Sequence, residues 1–279
     1  MGRGLNLACM TQNDRPTVAV IGVGAMGEAL CAGLVNAGWD PSELSLVVRR
    51  PEKVESVFAR TGIEASLDIK TAAGRDVVVI AVKPRDVQGL LSQLSGAIKP
   101  GQVVLSIAAG VPTATFEAEL GEVAVVRAMP NTPALVKEAV TGRAPGRFAT
   151  AADVDKARQV LEAVGSVRVM DEGLLAAVTA VSGTGPAYVF LLAEALTEAA
   201  VREGLPRDIA ETFVNQTIRG AGHLLTETAR GPFELRSQVT SPGGTTAAAV
   251  HVLEERGFRA LIEDAVRAAA QRARELGSG

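Results

Sequence analysis

The sequence has few of the residues on which metal centres and nucleophilic enzymes depend. Its 279 residues include only two histidines, His223 and His251, and two cysteines, Cys9 and Cys31. This scarcity argues against a histidine-rich metal site and against a serine–histidine relay, so we expect no bound metal. Two cysteines form no disulfide framework, which indicates the reducing environment of the cytoplasm.

Aromatic residues are also scarce, at 3% of the chain, which is too few for a surface that stacks single-stranded nucleic acid. The 28 Lys and Arg against 31 Asp and Glu give a net charge of −3, with no basic excess for nucleic acid or an anionic membrane. Residues 173–193 lack charge over a length that would cross a bilayer, but Ser182, Gly183, Gly185 and Pro186 interrupt them. We therefore expect a small-molecule substrate, and no nucleic acid or membrane partner.

From Pro16 onward, short apolar runs alternate with segments of helical spacing. The pattern predicts strands at residues 17–21, 44–48, 76–82, 102–107 and 123–128, and helices at 26–37, 51–60, 86–98 and 113–120. Apolar strands separated by helices indicate an α/β fold whose parallel sheet is covered on both faces.

After about residue 171 the strand signals stop. Helices are predicted at residues 174–181, 186–203, 207–227, 232–238, 245–255 and 258–276. We therefore place a disordered tail at 1–15, the α/β domain at 16–171 and an all-α domain at 172–279. An all-helical domain after a nucleotide-binding sheet often supplies oligomer contacts.

A glycine-rich turn joins the first predicted strand to the first helix. Gly22 permits a tight turn, Gly24 lets the backbone approach a pyrophosphate, and Gly27 lets the helix pack closely on the sheet. Free N–H groups at the helix start would hold the phosphates. The motif predicts a Rossmann-type dinucleotide site, and the alternative is a glycine-rich turn without a ligand. The predicted cofactor residues here are Ile21, Gly22, Val23, Gly24, Ala25, Met26 and Gly27.

The end of the second predicted strand bears on the choice of cofactor. NAD sites place an acid there to hold the ribose hydroxyls, but this strand ends in Arg49 and Arg50. Because arginine binds phosphate bidentately, the pair favours the 2′-phosphate of NADPH, with NADH as the alternative cofactor. A solvated pair of surface arginines would show the same pattern.

Three further strand ends face the predicted crevice. Lys83 would lie near the cofactor or else at the surface. Small residues after the fourth strand would admit the nicotinamide ribose, and Asn131 would offer its amide to a ligand or only stabilise a turn. The cofactor residues predicted here are Ala81, Val82, Lys83, Pro84, Ala108, Ala109 and Asn131.

Two segments of the helical half place small, hydroxyl and proline residues directly before a helix. Free N–H groups of Gly244, Thr245 and Thr246 would form a nest for a carboxylate or phosphate. The alternative is ordinary helix capping by Ser and Thr. The segments are Ser182-Gly183-Thr184-Gly185-Pro186-Ala187-Tyr188 and Ser241-Pro242-Gly243-Gly244-Thr245-Thr246.

Together with Ala81-Val82-Lys83-Pro84 and Met129-Pro130-Asn131-Thr132-Pro133, these motifs occur in an order and spacing that resembles the pyrroline-5-carboxylate reductase family. The resemblance covers residues 16–276. It implies hydride transfer from NADPH to the C=N bond of 1-pyrroline-5-carboxylate, which gives L-proline in the last step of proline biosynthesis. It also implies a homodimer built by the helical domain, with larger rings such as a decamer.

The resemblance also implies roles for single residues. Ser241, Gly244, Thr245 and Thr246 would hold the substrate carboxylate, and Thr246 would approach the ring nitrogen as the catalytic residue. The 241–246 loop of one subunit would face the nicotinamide of its neighbour. The remaining assignments are Glu172 near the substrate pocket and Gln238, where the family often has Asn, near the cofactor. The Arg49–Arg50 pair departs from relatives with small hydroxyl residues there, so the NADP preference rests on mechanism.

Two other functions share parts of this pattern. A related NADP-linked imine or hydroxyacid reductase would have the glycine turn, but hydroxyacid dehydrogenases usually need a helical-domain lysine and residues 171–279 contain none. A non-catalytic NADPH sensor would keep the glycine turn without a carboxylate nest. The protonated C=N bond is already electrophilic, so the reductase needs positioning rather than a strong base, which suits this sequence.

Overall fold

The computed structural model describes residues 15–277, and these form two compact units. The first comprises the described residues up to Gly183 together with those from Ala269 onward, and the second is Thr184–Ala268. The predicted tail at 1–15 lies outside the described residues except for Arg15. The Arg15 guanidinium donates to the carbonyl oxygen of Gly38 and lies 4.8 Å from the centroid of the Trp39 ring.

An eight-stranded sheet forms the centre of the first unit. Its strands are β1 (Val18–Ile21), β2 (Leu44–Val47), β3 (Ala65–Ser66), β4 (Val77–Ile80), β5 (Val103–Ser106), β6 (Ala124–Met129), β7 (Ala139–Pro145) and β8 (Gly165–Val169). The spatial order is β3-β2-β1-β4-β5-β6-β7-β8, and every neighbouring pair is parallel except β6 with β7. The predicted parallel sheet is confirmed.

Helices pack on the sheet through two separate apolar clusters. Because side chains alternate across a strand, Val18 and Val20 of β1 enter one cluster while Ala19 and Ile21 enter the other. Burial on both faces explains the continuous apolar runs in the sequence. The helices of this region are α1 (Ala25–Asn36), α2 (Val54–Thr61), α3 (Pro84–Leu94), α4 (Thr113–Leu120) and α5 (Ala151–Glu162).

Four elements of the first unit were not predicted: β3, β7, α5 and β8. Strand β3 has only two residues, β7 contains Gly142 and Arg143, and β8 is largely exposed, so none shows a long apolar run. Helix α5 did have a start signal in the sequence, because Thr150 and Asp153 form a capping box. The predicted helix at 51–60 is a 3₁₀ turn, Pro51–Lys53, followed by α2.

The helical half agrees closely with its prediction. Short α6 (Leu175–Val178) continues into a π-helical turn, Thr179–Gly183, in place of the predicted helix at 174–181. The following helices are α7 (Gly185–Arg202), α8 (Arg207–Glu227), α9 (Pro232–Gln238), α10 (Thr245–Glu255) and α11 (Phe258–Gly277). The end of α11 belongs to the first unit because its backbone meets Gly110 there: a Cβ added to Gly277 would lie 2.5 Å from the Gly110 carbonyl oxygen.

One helical stretch among the described residues, Glu172–Arg202, is long and apolar enough to cross a membrane by length and composition alone. It is not a continuous α-helix, because the π-helical turn interrupts it and Pro186 follows. Only 11% of its most apolar window is buried.

Candidate active site

A cavity of about 640 Å³ opens beyond the carboxyl ends of β1, β2 and β4. Strand β1 is the point where the strand order changes direction, which is where open α/β sheets bind ligands. Ten of the seventeen predicted cofactor residues line this cavity: Ile21, Gly22, Val23, Gly24, Ala25, Arg49, Arg50, Ala81, Val82 and Lys83.

Sequence reasoning missed the other half of the lining. Positions 86, 89, 90 and 93 recur at helical spacing along one side of α3, a signal that would have found them. Leu67, Ile69 and Leu90 make part of the wall apolar, as a planar base requires. The missed residues are Glu28, Val47, Val48, Lys53, Leu67, Ile69, Arg85, Asp86, Gly89, Leu90 and Gln93.

The three glycines of the first turn serve different purposes. Gly22 has φ +94°, and a Cβ there would lie 2.8 Å from the carbonyl oxygen of Ala81. A Cβ on Gly27 would lie 2.5 Å from the carbonyl oxygen of Gly22. A Cβ on Gly24 would meet nothing within 4 Å, and this residue is exposed at the cavity. Gly22 and Gly27 are therefore needed for the fold, whereas Gly24 leaves room for a ligand.

The charges of the cavity match a phosphorylated dinucleotide. Gly24 is the N-cap of α1, and Gly24 and Ala25 both line the cavity, so the positive end of the helix dipole lies at the cavity. Five cationic side chains are in the lining: Arg49, Arg50, Lys53, Lys83 and Arg85. The residues present therefore fit the pyrophosphate and 2′-phosphate of NADPH.

Arg49 and Arg50 each lie near a carboxylate. Arg49 Nη1 lies 3.3 Å from Asp86 Oδ1, and both residues line the cavity. Arg50 Nε lies 3.6 Å from Glu52 Oε1, outside the lining. The acid that the end of β2 lacks in the sequence is thus supplied from α3.

Seven predicted cofactor residues do not line the cavity: Met26, Gly27, Pro84, Ala108, Ala109, Asn131 and Gln238. Asn131 uses its amide within the first unit, where Oδ1 accepts from the Val140 N–H and Nδ2 donates to the Ser182 carbonyl oxygen. Gln238 ends α9 in the second unit, and its Oε1 accepts from Arg230 Nη1 at 2.9 Å.

Glu172 lies in a cluster of internal hydrogen bonds within the first unit. Its carboxylate accepts from the N–H and the hydroxyl of Thr113, each at 2.8 Å, and from Arg127 Nη1 at 3.0 Å. Burial raises the pKa of this carboxyl group, but the hydrogen bonds from Thr113 and Arg127 outweigh burial and hold it below its usual value. Glu172 therefore joins β6 and the start of α4 to the segment that follows β8.

We expect Glu172→Gln to lower the free energy of unfolding by about 1–2 kcal/mol at pH 7, because Arg127 is mostly buried and loses its counter-charge. Because the folded-state pKa of Glu172 is depressed, its contribution is present above the unfolded value of 4.5 and is lost as the pH falls through the folded value. Urea unfolding between pH 7 and pH 3 should show the gap from wild type narrowing below pH 4.5. A gap that stays constant with pH, or that exposed Glu138→Gln reproduces, would contradict the assignment.

The loop before α10 holds the other predicted site residues. Gly243 has φ +71°, and a Cβ on Gly244 would clash with the Ser241 hydroxyl. The Gly244 N–H donates to the Ser241 carbonyl oxygen at 3.1 Å, so the expectation that it is free was wrong: the tight turn uses it. Among the described residues, the N–H groups of Thr245 and Thr246 have no acceptor.

The start of α10 has no side-chain cap, and neither does the start of α7. Ordinary capping by Ser and Thr, the alternative that the sequence left open, is therefore wrong for both helices. The first N–H groups of α10 remain as donors beside the hydroxyls of Ser241 and Thr246. Such an arrangement can hold a small carboxylate.

Comparisons with known proteins find family matches in two parts of the chain. The family described as "Pyrroline-5-carboxylate reductase dimerisation" matches residues 172–276, and "NADP oxidoreductase coenzyme F420-dependent" matches residues 17–110. The pyrroline-5-carboxylate reductases of Methanosarcina acetivorans and Arabidopsis thaliana are 41% and 38% identical. The first comparison covers 95% of this chain and 99% of that relative, and the second covers 93% and 95%.

Solved structures extend the likeness to the fold. The pyrroline-5-carboxylate reductase of Coxiella burnetii superposes with a TM-score of 0.88 at 36% identity, over 94% of this chain and 99% of that one. The pyrroline carboxylate reductase of Plasmodium falciparum, solved with NADP bound, superposes with a TM-score of 0.84 at 28% identity, over 94% and 98%. The chain belongs to the pyrroline-5-carboxylate reductase family.

Proposed function

We propose that this protein reduces the C=N bond of 1-pyrroline-5-carboxylate with NADPH to give L-proline, the last step of proline biosynthesis. The observation that most directly supports this proposal is the uncapped start of α10 behind a Gly-Gly turn, because it leaves N–H donors for a carboxylate. A dinucleotide sensor has no need of such donors.

The cavity beyond β1 holds the cofactor through its cationic lining, the start of α1 and the space above Gly24. When bound, NADPH supplies the hydride that reduces the C=N carbon. The N–H groups of Thr245 and Thr246, with the Ser241 hydroxyl, hold the substrate carboxylate, and Gly244 shapes the turn that aims them. The Thr246 hydroxyl hydrogen-bonds the ring nitrogen as it becomes an amine.

We propose no substrate contact for Glu172, because its carboxylate is already engaged by Thr113 and Arg127. For Asn131 and Gln238 we propose supporting roles, since their amides take part in hydrogen bonds within their own units.

We further propose a homodimer in which a second copy covers the apolar side chains of the helical region. Phe190, Phe213 and Phe233 are 67%, 64% and 74% exposed in the single chain. Leu191, Leu224 and Leu261 of the same helical region are also more than half exposed. Exposed apolar surface on this scale, unlike single exposed residues, marks an interface, and residues 172–276 match a dimerisation family. We also propose that the dimers assemble into larger rings, such as a decamer, and that the protein is located in the cytoplasm.

The test is the decay of nicotinamide absorbance with racemic pyrroline-5-carboxylate, with NADPH and NADH compared at equal concentration. We expect rapid decay with NADPH and slower decay with NADH, because the lining has five cations for a 2′-phosphate. Folded protein that binds NADPH but reduces no pyrroline-5-carboxylate would overturn the proposed reaction and favour another imine substrate or a sensor.

A further inference from the structure

Asp86 brings a carboxylate into the cofactor cavity from an element that the sequence pattern does not single out. NAD-binding sites of this fold take their ribose-binding acid from the end of the second strand. Here that position holds Arg49 and Arg50, and the first turn of α3 places Asp86 Oδ1 3.3 Å from Arg49 Nη1. The two residues are 37 apart in sequence.

Asp86 is also the less compensated of the two acids in the lining. Glu28 accepts from Arg60 Nη2 at 2.7 Å, so a cation outside the lining neutralises it. Asp86 is paired with Arg49, whose side chain is 79% exposed. An exposed pair with one contact is weak, so Asp86 and Arg49 are each available to a ligand.

We propose that Asp86 sets the selectivity of this cavity between NADPH and NADH. A carboxylate accepts a hydrogen bond from the free 2′-hydroxyl of the NADH ribose, whereas it repels the 2′-phosphate of NADPH and competes with that phosphate for Arg49. The cavity therefore accepts both cofactors. Arg49 and Arg50 favour NADPH over NADH, and Asp86 makes that preference smaller. This inference rests on the proposed function only in so far as a nicotinamide cofactor occupies the cavity.

The experiment is calorimetric titration of wild type and Asp86→Asn with NADP⁺, NAD⁺, 2′,5′-ADP and 5′-AMP, in the absence of substrate. We expect Asp86→Asn to bind NADP⁺ and 2′,5′-ADP about three- to tenfold more tightly and NAD⁺ no more tightly. The ratio of the NAD⁺ to the NADP⁺ dissociation constant then rises at least about threefold. A ratio that changes less than this, or an equal loss of affinity for both cofactors, overturns the proposal.

Two comparisons separate this effect from a general change of charge. Glu122→Gln removes an exposed acid that lies before β6, outside the lining, and it should leave the ratio within about twofold of wild type. In an Arg49→Gln background, Asp86→Asn should lose most of its effect on 2′,5′-ADP, because the competed cation is gone. An Asp86→Asn effect that is undiminished there contradicts competition for Arg49.

Thermal unfolding checks that the variants fold, and Asp86→Ser, which suits the first turn of a helix, replaces Asp86→Asn if that variant does not. Because no titration contains pyrroline-5-carboxylate, the two proposals fail separately. An unchanged ratio in an active reductase overturns the role of Asp86 alone. A shifted ratio in a protein that reduces no pyrroline-5-carboxylate overturns the reaction alone.

Discussion

Gly24→Val is expected to bind NADPH at least about a hundredfold more weakly than wild type while the protein stays folded. Gly24 is exposed at the cavity, and a Cβ there would meet no atom within 4 Å, so the space that valine takes is space for the pyrophosphate. Its φ of −98° and ψ of −167° are extended values that valine adopts readily. Loss of the glycine N-cap should cost only about 1 kcal/mol of unfolding free energy.

Gly27→Ala is the matched control, because it should destabilise the fold rather than fill the space for the cofactor. A Cβ at Gly27 would lie 2.5 Å from the carbonyl oxygen of Gly22, so the helix must move away from the turn. We expect a loss of about 2–3 kcal/mol in unfolding free energy. Trp39, the one tryptophan of the chain, is buried in the first unit, and its fluorescence during urea unfolding reports on that unit.

Calorimetric titration with NADPH completes the comparison. If Gly24→Val binds NADPH as wild type does, the phosphates do not use the first turn and the cofactor assignment of this cavity is wrong. If Gly24→Val unfolds as readily as Gly27→Ala, the open space at Gly24 is part of the fold rather than part of the site.

The parts of the fold that the sequence predicted are those where local pattern and burial agree. β1 and β4 are buried on both faces, and they lie within the predicted strands at 17–21 and 76–82. Helices α8 to α10 begin and end beside glycine, proline or polar residues, and their bounds match the predictions. Strand β7 could not be found in this way, because it contains Gly142, whose added Cβ would meet the Met170 side chain at 3.1 Å. Its place in the sheet depends on packing between residues distant in sequence.

The candidate site likewise has features that a local sequence pattern predicts and features that it does not. The glycine turn and the arginines of the second strand end are local signals, and Gly22, Gly24, Arg49 and Arg50 line the cavity. That these residues bind the cofactor stays a prediction. The pairing of Arg49 with Asp86 and of Arg127 with Glu172 joins residues 37 and 45 apart, which no local pattern encodes. The free N–H expected at Gly244 was wrong for a local reason: the turn that creates the nest also uses that donor.

Thr246→Ala is expected to lower kcat about ten- to a hundredfold, with little change in NADPH affinity. Thr246 lies in the uncapped first turn of α10, and its hydroxyl has no hydrogen-bond partner among the described residues, so it is available to the substrate nitrogen. A hydrogen bond that strengthens as the nitrogen becomes an amine acts on kcat rather than on cofactor binding. Steady-state kinetics with pyrroline-5-carboxylate and titration with NADPH measure the two quantities.

Two further variants serve as controls for Thr246→Ala. Thr246→Ser keeps a hydroxyl and should recover most of the activity. Thr226→Ala, which removes a helical hydroxyl that donates to the Gly222 carbonyl oxygen on α8, should behave as wild type. An unchanged kcat in Thr246→Ala would end the proposed role of this residue.

Mixed dimers of Gly24→Val and Thr246→Ala chains then test whether one subunit supplies the loop for the cofactor bound by its neighbour. Each chain is defective in a different unit. If a site combines the first unit of one chain with the second unit of the other, each mixed dimer has one intact site and one doubly defective site. Co-expressed chains should then recover about a quarter of wild-type activity, since about half of random dimers are mixed. If each chain completes its own site, every site keeps one defect, and the mixture is no more active than the average of its parents.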